Sequence, residues 1–517
     1  MDILTMLFSL LFAFTIFKAL IWLARFAGTK AKKLPPGPVP LPVIGNLHKL
    51  RRPPPQVPVH PGQNIRPNHT SKIGPHKYNS VISSSDTAKQ VLQKQDLTFS
   101  TRSVPDALHV HNHFKYSVVW LPVASRWRSL RKIMNSNIFS GNKLDAGQHL
   151  RSKKVDELIG YCRRCSQTGE AVDMGQAVLR TSLNLLSNTI LSKDLTDSYE
   201  DTGKEFKDLV WNIMVEAGKP NLVDFFPVLE KIDPQGIRRR MTLHFEKLLE
   251  MFSDLISERL ELRKLGKSVG NGDVIDELLN ISEENSDEID RTHIEHMLMD
   301  LDEIDRTHIE HMLMDLFVAG TDTTSSSVEW AMAELLKNSE AMVKAKAELN
   351  QVIGKGKVVE EADVSQLPYL RSIVKETLRI HPPAPFLIPR KVEEETEVCG
   401  YTIPKGSQIL VNAWAIGRDP VLWDNPLSFQ PKRFLASEID VKGRDFELIP
   451  FGAGRRICPG LPLAMRMVPM MLGSLLNLFD WKIEGGIAPK ELDMEEKFGI
   501  TLQKFHSLRA VPTPVMI

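Results

Sequence analysis

The run Phe451-Gly452-Ala453-Gly454-Arg455-Arg456-Ile457-Cys458-Pro459-Gly460, followed at once by an apolar segment from Leu461 to Leu476, constrains this chain more than any other stretch. Glycine-rich backbone takes its shape from what surrounds it, and the apolar segment has the character of a buried helix. Cys458 therefore sits in a shaped loop just ahead of a helix N-terminus, where backbone N–H groups and the helix dipole favour thiolate over thiol. A thiolate so placed is a ligand, whereas a cysteine without the glycines and arginine around it would be an inert core residue.

The remaining composition suits that reading. Four cysteines in 517 residues are too few for a disulfide framework and fit a reducing, cytosol-facing compartment. With 65 Lys+Arg against 64 Asp+Glu, nothing in the overall charge argues for a nucleic-acid partner. The charge is uneven only at the start. No acidic residue lies between Ile3 and Ser85, while Lys18, Arg25, Lys30, Lys32, Lys33, Lys49, Arg51 and Arg52 are basic. Residues from Ile3 to Ala24 are apolar apart from hydroxyls and Lys18, and as a helix they would span roughly 33 Å. This pattern predicts a single transmembrane helix within a basic anchor, 1–33, with everything downstream on the cytosolic side of a membrane. The basic residues follow the apolar run, unlike those of a cleaved signal peptide. Leu34-Pro35-Pro36-Gly37-Pro38 opens a stiff hinge, 34–50, ahead of the catalytic body.

From about Asp86 to Lys264 the chain carries helical apolar spacing, as in Val178 to Leu191 and His244 to Leu262. Strand-like text is confined to Glu397 to Asn412, where Gly400 to Gly406 reads as a turn, and to the C-terminus. The fold class is mainly α with a small β region. Two stretches break the pattern. Residues 51–80 hold prolines 53, 54, 55, 58, 61, 67 and 75 and predict irregular or disordered chain. The run DEIDRTHIEHMLMDL occurs at Asp287–Leu301 and again, unchanged, at Asp302–Leu316. A copy of this length lands about 60° out of phase on a helix and would lengthen it by about 22 Å. Only the second copy, with Ile309, Met312, Leu313 and Leu316 leading into Ala319, can keep its face to the core; the first should loop out or extend beyond the body.

The Phe451–Gly460 loop resembles the F-x-x-G-x-R-x-C-x-G haem loop of the cytochrome P450 family. The resemblance covers the chain through Leu50 and from about 81 to 517, interrupted by the tandem copy, and implies a cytochrome P450 fold holding haem b. It implies Cys458 as the proximal iron ligand, Arg456 as a propionate partner and Phe451 packed beside the sulfur. Thiolate donation through iron favours O–O cleavage. Glu376 and Arg379, three apart on one helix face, would alone be an ordinary surface pair. By resemblance they join Arg433 of Pro431-Lys432-Arg433-Phe434 in a buried structural triad that fixes the cysteine loop. Trp127 and Arg131, in a W-x-x-x-R pattern, and Arg390 resemble further propionate contacts.

Ala319-Gly320-Thr321-Asp322-Thr323-Thr324 places poor helix formers inside a helical pattern. Threonines bonding back to preceding carbonyls would account for it alone. By resemblance it is the oxygen-activation segment, with Gly320 making room for dioxygen and Thr323 and Asp322 relaying protons as catalytic partners. Cys162-Arg163-Arg164-Cys165 lacks a second ligand pair and is read as structural.

No G-x-G-x-x-G follows a strand, so electrons must come from a partner, by resemblance an NADPH-cytochrome P450 reductase. Arg126, Arg128, Lys132 and Arg455 could offer it a basic face. The closest flavour is the plant microsomal class that hydroxylates small terpenoid alcohols such as geraniol, carried by Asn135 to Gly141 and Ala319 to Trp330. That implies residence in the endoplasmic reticulum membrane, O₂ as co-substrate, and a small lipophilic substrate. Its contacts would come from Val104 to Val119, Ala384 to Leu387 and Gly499 to Leu502, with Phe386, Leu387 and Ile500 apolar. Two other readings stay open: a haem-thiolate isomerase or dehydratase, against which a proton relay at Thr323 argues, and a membrane-bound relic damaged by the 51–77 segment and the tandem copy.

Overall fold

A computed structural model describes residues 12, 13, 16, 34–37, 68–73, 77–196, 204–266, 273–287 and 305–516. The helices that frame the centre are α1 (Ser125–Ile133), α2 (Gln148–Thr168), α3 (Met174–Leu191), α4 (Lys204–Gly218), α5 (Ile237–Lys264), α6 (Arg306–Lys337), α7 (Pro368–Ile380) and α8 (Leu461–Leu478). The strands are β1 (Asn68–Ile73), β2 (Lys77–Ile82), β3 (Val172–Asp173), β4 (Arg390–Lys391), β5 (Thr396–Val398), β6 (Tyr401–Ile403), β7 (Gln408–Val411), β8 (Phe479–Ile483), β9 (Glu496–Phe498), β10 (Leu502–Lys504) and β11 (Arg509–Pro514). The body is mainly helical with small sheets at its margin, as the periodicity predicts.

Helix α6 is the axis. Asp305 caps it, accepting from His308 N at 2.9 Å, and the expected core residues Ile309, Met312, Leu313 and Leu316 of the second repeat copy are buried. Phe317 stacks on Phe252 of α5 at 5.6 Å between centroids and meets Phe206 of α4 edge-on. The first repeat copy beyond Asp287 lies outside the described residues, as does the expected anchor apart from Phe12, Ala13 and Ile16. Among the described residues α8 is apolar and long enough to cross a membrane, yet it is buried against α2, α6 and α7 and is a core helix.

The expectation of irregular chain over 51–80 needs correction where residues are described. β1 and β2 form an antiparallel hairpin, and β2 runs parallel to β7 in a sheet of order β1-β2-β7-β4. Neighbouring backbone, rather than apolar periodicity, sets these strands, so sequence reading missed them. The turn expected at Gly400 to Gly406 resolves into two. Cys399 and Gly400, both at positive φ (51° and 76°), join β5 to β6, the pattern of a type I′ hairpin. A second bend at Pro404 to Ser407 leads into β7.

Candidate active site

The cysteine loop is built by backbone. Gly452 and Gly454 hold φ of 71° and 69°, which L side chains rarely adopt. At Gly454 any side chain would also run into the Leu92 carbonyl. Cys458 N donates to Phe451 O at 3.0 Å and closes the loop, setting Phe451 next to the cysteine. Cys458 is only partly buried by its neighbours. Burial pushes its thiol up, while the N–H groups of Gly460 and Leu461 and the Arg131 guanidinium pull toward thiolate.

Four guanidiniums gather around this loop. Arg456 donates to the carbonyls of Ser100 (3.0 Å), Val118 (3.1 Å) and Leu121 and lies 4.8 Å over the Trp127 ring. Arg131 donates to Ile457 O, Arg390 to Phe99 O at 2.9 Å, and Arg102 to Ile388 O at 2.6 Å. Trp127 gives its indole N–H to Val118 O at 3.0 Å. Among the described residues none of the four cations meets a carboxylate at bonding distance. Arg102 Nε is buried with no partner. Burial, then the other cations, pull Arg102 down and bring Arg456 to about 9; burial alone brings Arg390 to about 10. Buried like charges without an anion are costly, so this cradle fits a dianionic group. Sequence reading found Arg131, Arg390 and Arg456 but missed Arg102, because nothing in Thr101-Arg102-Ser103 marks it.

Glu376, Arg379 and Arg433 come together in one buried cluster. Arg379 meets Glu376 through Nε (2.7 Å) and Nη2 (2.8 Å), and Arg433 Nε reaches the same carboxylate at 3.0 Å. Gln430 N adds 2.8 Å. Arg379 also donates to Pro426 O (2.8 Å) and Ser428 O (3.3 Å), tying the triad to the chain ahead of the cysteine loop.

In the middle of α6, otherwise buried, Ala319 is exposed and Val318, Gly320 and Thr323 are half-exposed. This break in burial sits where the oxygen-activation segment was expected. Thr323 Oγ1 donates back to Ala319 O at 2.8 Å, and Thr321 and Thr324 do likewise to Phe317 and Gly320. Packing adds two contacts that the expectation did not include. A Cβ on Gly320 would come within 2.8 Å of Leu186 Cδ1, so this glycine lets α6 approach α3, and Ala319 borders the opening. Asp322 is fully buried and does not meet Thr323: its carboxylate accepts from Thr501 Oγ1 and from Gln503 Nε2 (2.8 Å). Adjacent helical residues point about 100° apart, so Asp322 fastens the β9–β10 turn rather than pairing with Thr323. Burial raises its carboxyl.

The basic face proposed for a partner loses one member, since Arg455 Nε pairs with Asp96 at 3.0 Å. Arg126, Arg128 and Lys132 stand exposed on α1. Cys162 and Cys165 are buried in α2, and burial pushes the Cys162 thiol up.

Comparison with known proteins adds three findings. The family model described as Cytochrome P450 matches residues 35–506. The chain is 65% identical over 513 residues to geraniol 8-hydroxylase of Catharanthus roseus, covering 99% of this chain and 100% of that protein. It is 64% identical to geraniol 8-hydroxylase of Swertia mussotii (99% of each) and 53% to 7-ethoxycoumarin O-deethylase of Helianthus tuberosus (100% of each). A zebrafish cytochrome P450 solved with progesterone superposes with a TM-score of 0.71 at 23% identity, over 87% of this chain and 97% of that one.

Proposed function

The chain belongs to the cytochrome P450 family, and from that premise we propose that it hydroxylates a small monoterpenoid alcohol of the geraniol kind. The observation that carries this is the 65% identity, over 99% of the chain, to a geraniol 8-hydroxylase. The overall reaction is R–H + O₂ + NADPH + H⁺ → R–OH + H₂O + NADP⁺, with electrons from a separate NADPH-cytochrome P450 reductase. Haem held by a cysteine thiolate is the family's cofactor, and when bound it supplies oxygen activation.

The residues present fit that group: Cys458 as thiolate ligand, and Arg102, Arg131, Arg390 and Arg456 as the cradle for its two carboxylates. Trp127 shapes the cradle by holding Val118 O. Thr323, half-exposed at the break in α6, holds a hydroxyl proton where substrate and O₂ would meet. Phe386, Leu387 and Ile500 are partly exposed apolar residues suited to an isoprenoid chain; apolar walls discriminate weakly, so polar positioning must add selectivity. Residues 1–33 serve as a single-pass anchor in the endoplasmic reticulum membrane, with the body on the cytosolic side. Digestion of intact microsomes by added protease tests this, and a protected body would overturn it.

The experiment is to express the full chain in microsomes with a reductase, record the reduced-plus-CO difference spectrum, and supply geraniol with NADPH. The expected result is a strongly red-shifted Soret band, absent in Cys458→Ala, and a hydroxylated alcohol formed only with NADPH. Protein present without that band refutes the monooxygenase reading. A normal band with geraniol untouched refutes only the substrate.

A further inference from the structure

The segment Asp106–Leu121 is fastened at three places. Asp106 is bound by Arg238 of α5 and by Asn221 at 3.3 Å, and its N–H donates to Asp224 at 2.7 Å. At the other end the carbonyls of Val118 and Leu121 accept from Arg456 of the cysteine loop. The middle is held by α6. Ser117 Oγ donates to both oxygens of Asp315 (2.7 and 2.9 Å), and Val118 N donates to Asp315 Oδ2 at 2.8 Å. The Val118 peptide thus joins two parts of the site, its N–H on α6 one turn before Ala319 and its carbonyl on the arginine of the cysteine loop.

His113 completes the middle fastening. Its Nδ1 is 2.8 Å from Nδ1 of His311, and its Nε2 is 3.3 Å from Asp315 Oδ1. Two facing ring nitrogens share one hydrogen, and a carboxylate only accepts. Burial holds His311 down to about 3, with His113, His111 and His308 adding to it, so its ring is neutral and carries one hydrogen. His113 turns Nε2–H toward Asp315, and one hydrogen lies between the two Nδ1 atoms. The other titratable groups nearby are His308 and Asp305 on α6, Tyr116, stacked on His311 at 5.0 Å, and His111. From α5 the ring of Phe245 meets His113 edge-on and brings no charge. Just before His113, His111 and Asn112 both sit at positive φ, 48° and 54°. Non-glycine residues persist there only when their surroundings hold them.

We propose that His113, clamped between His311 and Asp315, is a positioning residue that holds the strained turn closed and thereby sets the wall formed by Ser117 to Leu121, which bridges α6, just before its break in burial, to the cysteine loop. It touches neither substrate nor cofactor. The proposal rests on the reading of the break in α6 as the reaction chamber, and it adds a determinant of selectivity to that chamber. Without the clamp, the turn relaxes and the wall moves, while the bond from Cys458 N to Phe451 O that closes the cysteine loop is kept.

The test uses full-length chain in microsomes with reductase, comparing wild type, His113→Phe and His113→Gln. Phenylalanine keeps the ring against Phe245 and loses both polar ties, whereas glutamine can still donate. Three quantities are read: the reduced-plus-CO band, the dissociation constant from the geraniol-induced spectral shift, and the distribution of hydroxylated products. For His113→Phe we expect a wild-type band, a dissociation constant raised about tenfold, a broader product distribution, and KM moving more than kcat. His113→Gln should recover much of the loss. Unchanged affinity and products in His113→Phe would overturn the proposal, as would loss of the band in both variants, which would make the cluster a fold element only. If wild type ignores geraniol, only the substrate assignment fails, and the same comparison is read with 7-ethoxycoumarin.

Discussion

Two of the buried charge clusters in this body are built on opposite plans. The triad closes on itself: Glu376 takes bonds from Arg379, Arg433 and Gln430 N, and the spare donors go to carbonyls. The cradle does not close. Arg102, Arg131, Arg390 and Arg456 find only carbonyls, and one buried Nε finds nothing. A cluster whose charges are matched from within belongs to the fold, whereas one whose charges are left over is shaped for a ligand. Removing a residue should therefore harm the first cluster with or without haem and the second chiefly through haem.

The largest effect is expected from Glu376→Ala, which leaves two buried guanidiniums unmatched at a cost of about 3–5 kcal/mol. The check is yield and protease resistance of the haem-free chain as well as of the loaded one. If only the loaded form suffers, the distinction between the clusters collapses. Arg456→Met comes next. It removes one of four unmatched cations, so the haem-free chain should resist denaturant as well as wild type or better, while haem loss to an acceptor protein should speed up about tenfold or more. Lower stability without haem would show that its bonds to Ser100, Val118 and Leu121 outweigh the crowding.

His311 sharpens the contrast from the other side. An arginine keeps its proton and must be given an anion, but an imidazole can give the proton up. Held near 3 against an ordinary value of 6.5, folded His311 binds fewer protons than unfolded His311 between those values. Stability should then fall as pH drops from about 6.5 toward 3. Thermal denaturation across that window should be flatter in His311→Gln; equal slopes would mean that other groups carry the acid sensitivity.

How much of this could be read from the sequence follows the same division. Cys458 was marked by the glycines and arginine around it, and the helical body by its apolar period, whereas Glu376, Arg379 and Arg433 were grouped only by the family resemblance, because their spacing alone reads as a surface pair. Arg102 was not legible, since its meaning depends on Arg390 and Arg456, hundreds of residues away. The packing partners of Asp322 and Gly320 were not legible for a related reason. A helical run shows which residue types are present, but only packing shows that Gly320 faces Leu186 and that Asp322 faces Thr501. The β1–β2 hairpin escaped because backbone pairing with β7, not side-chain alternation, selects it.

The cap at Asp305 bears on how this chain tolerates change over generations. Its carboxylate accepts both the backbone and ring nitrogens of His308 (2.9 and 2.8 Å), so α6 carries its own starting signal within the second repeat copy. A change of length upstream of that aspartate should leave the phase of Ala319 and Thr323 as it was. A chain lacking 287–301 should accordingly give an unaltered reduced-plus-CO band, the smallest effect expected here. Punctuation of this kind separates the phase of a helix from the length of chain that precedes it.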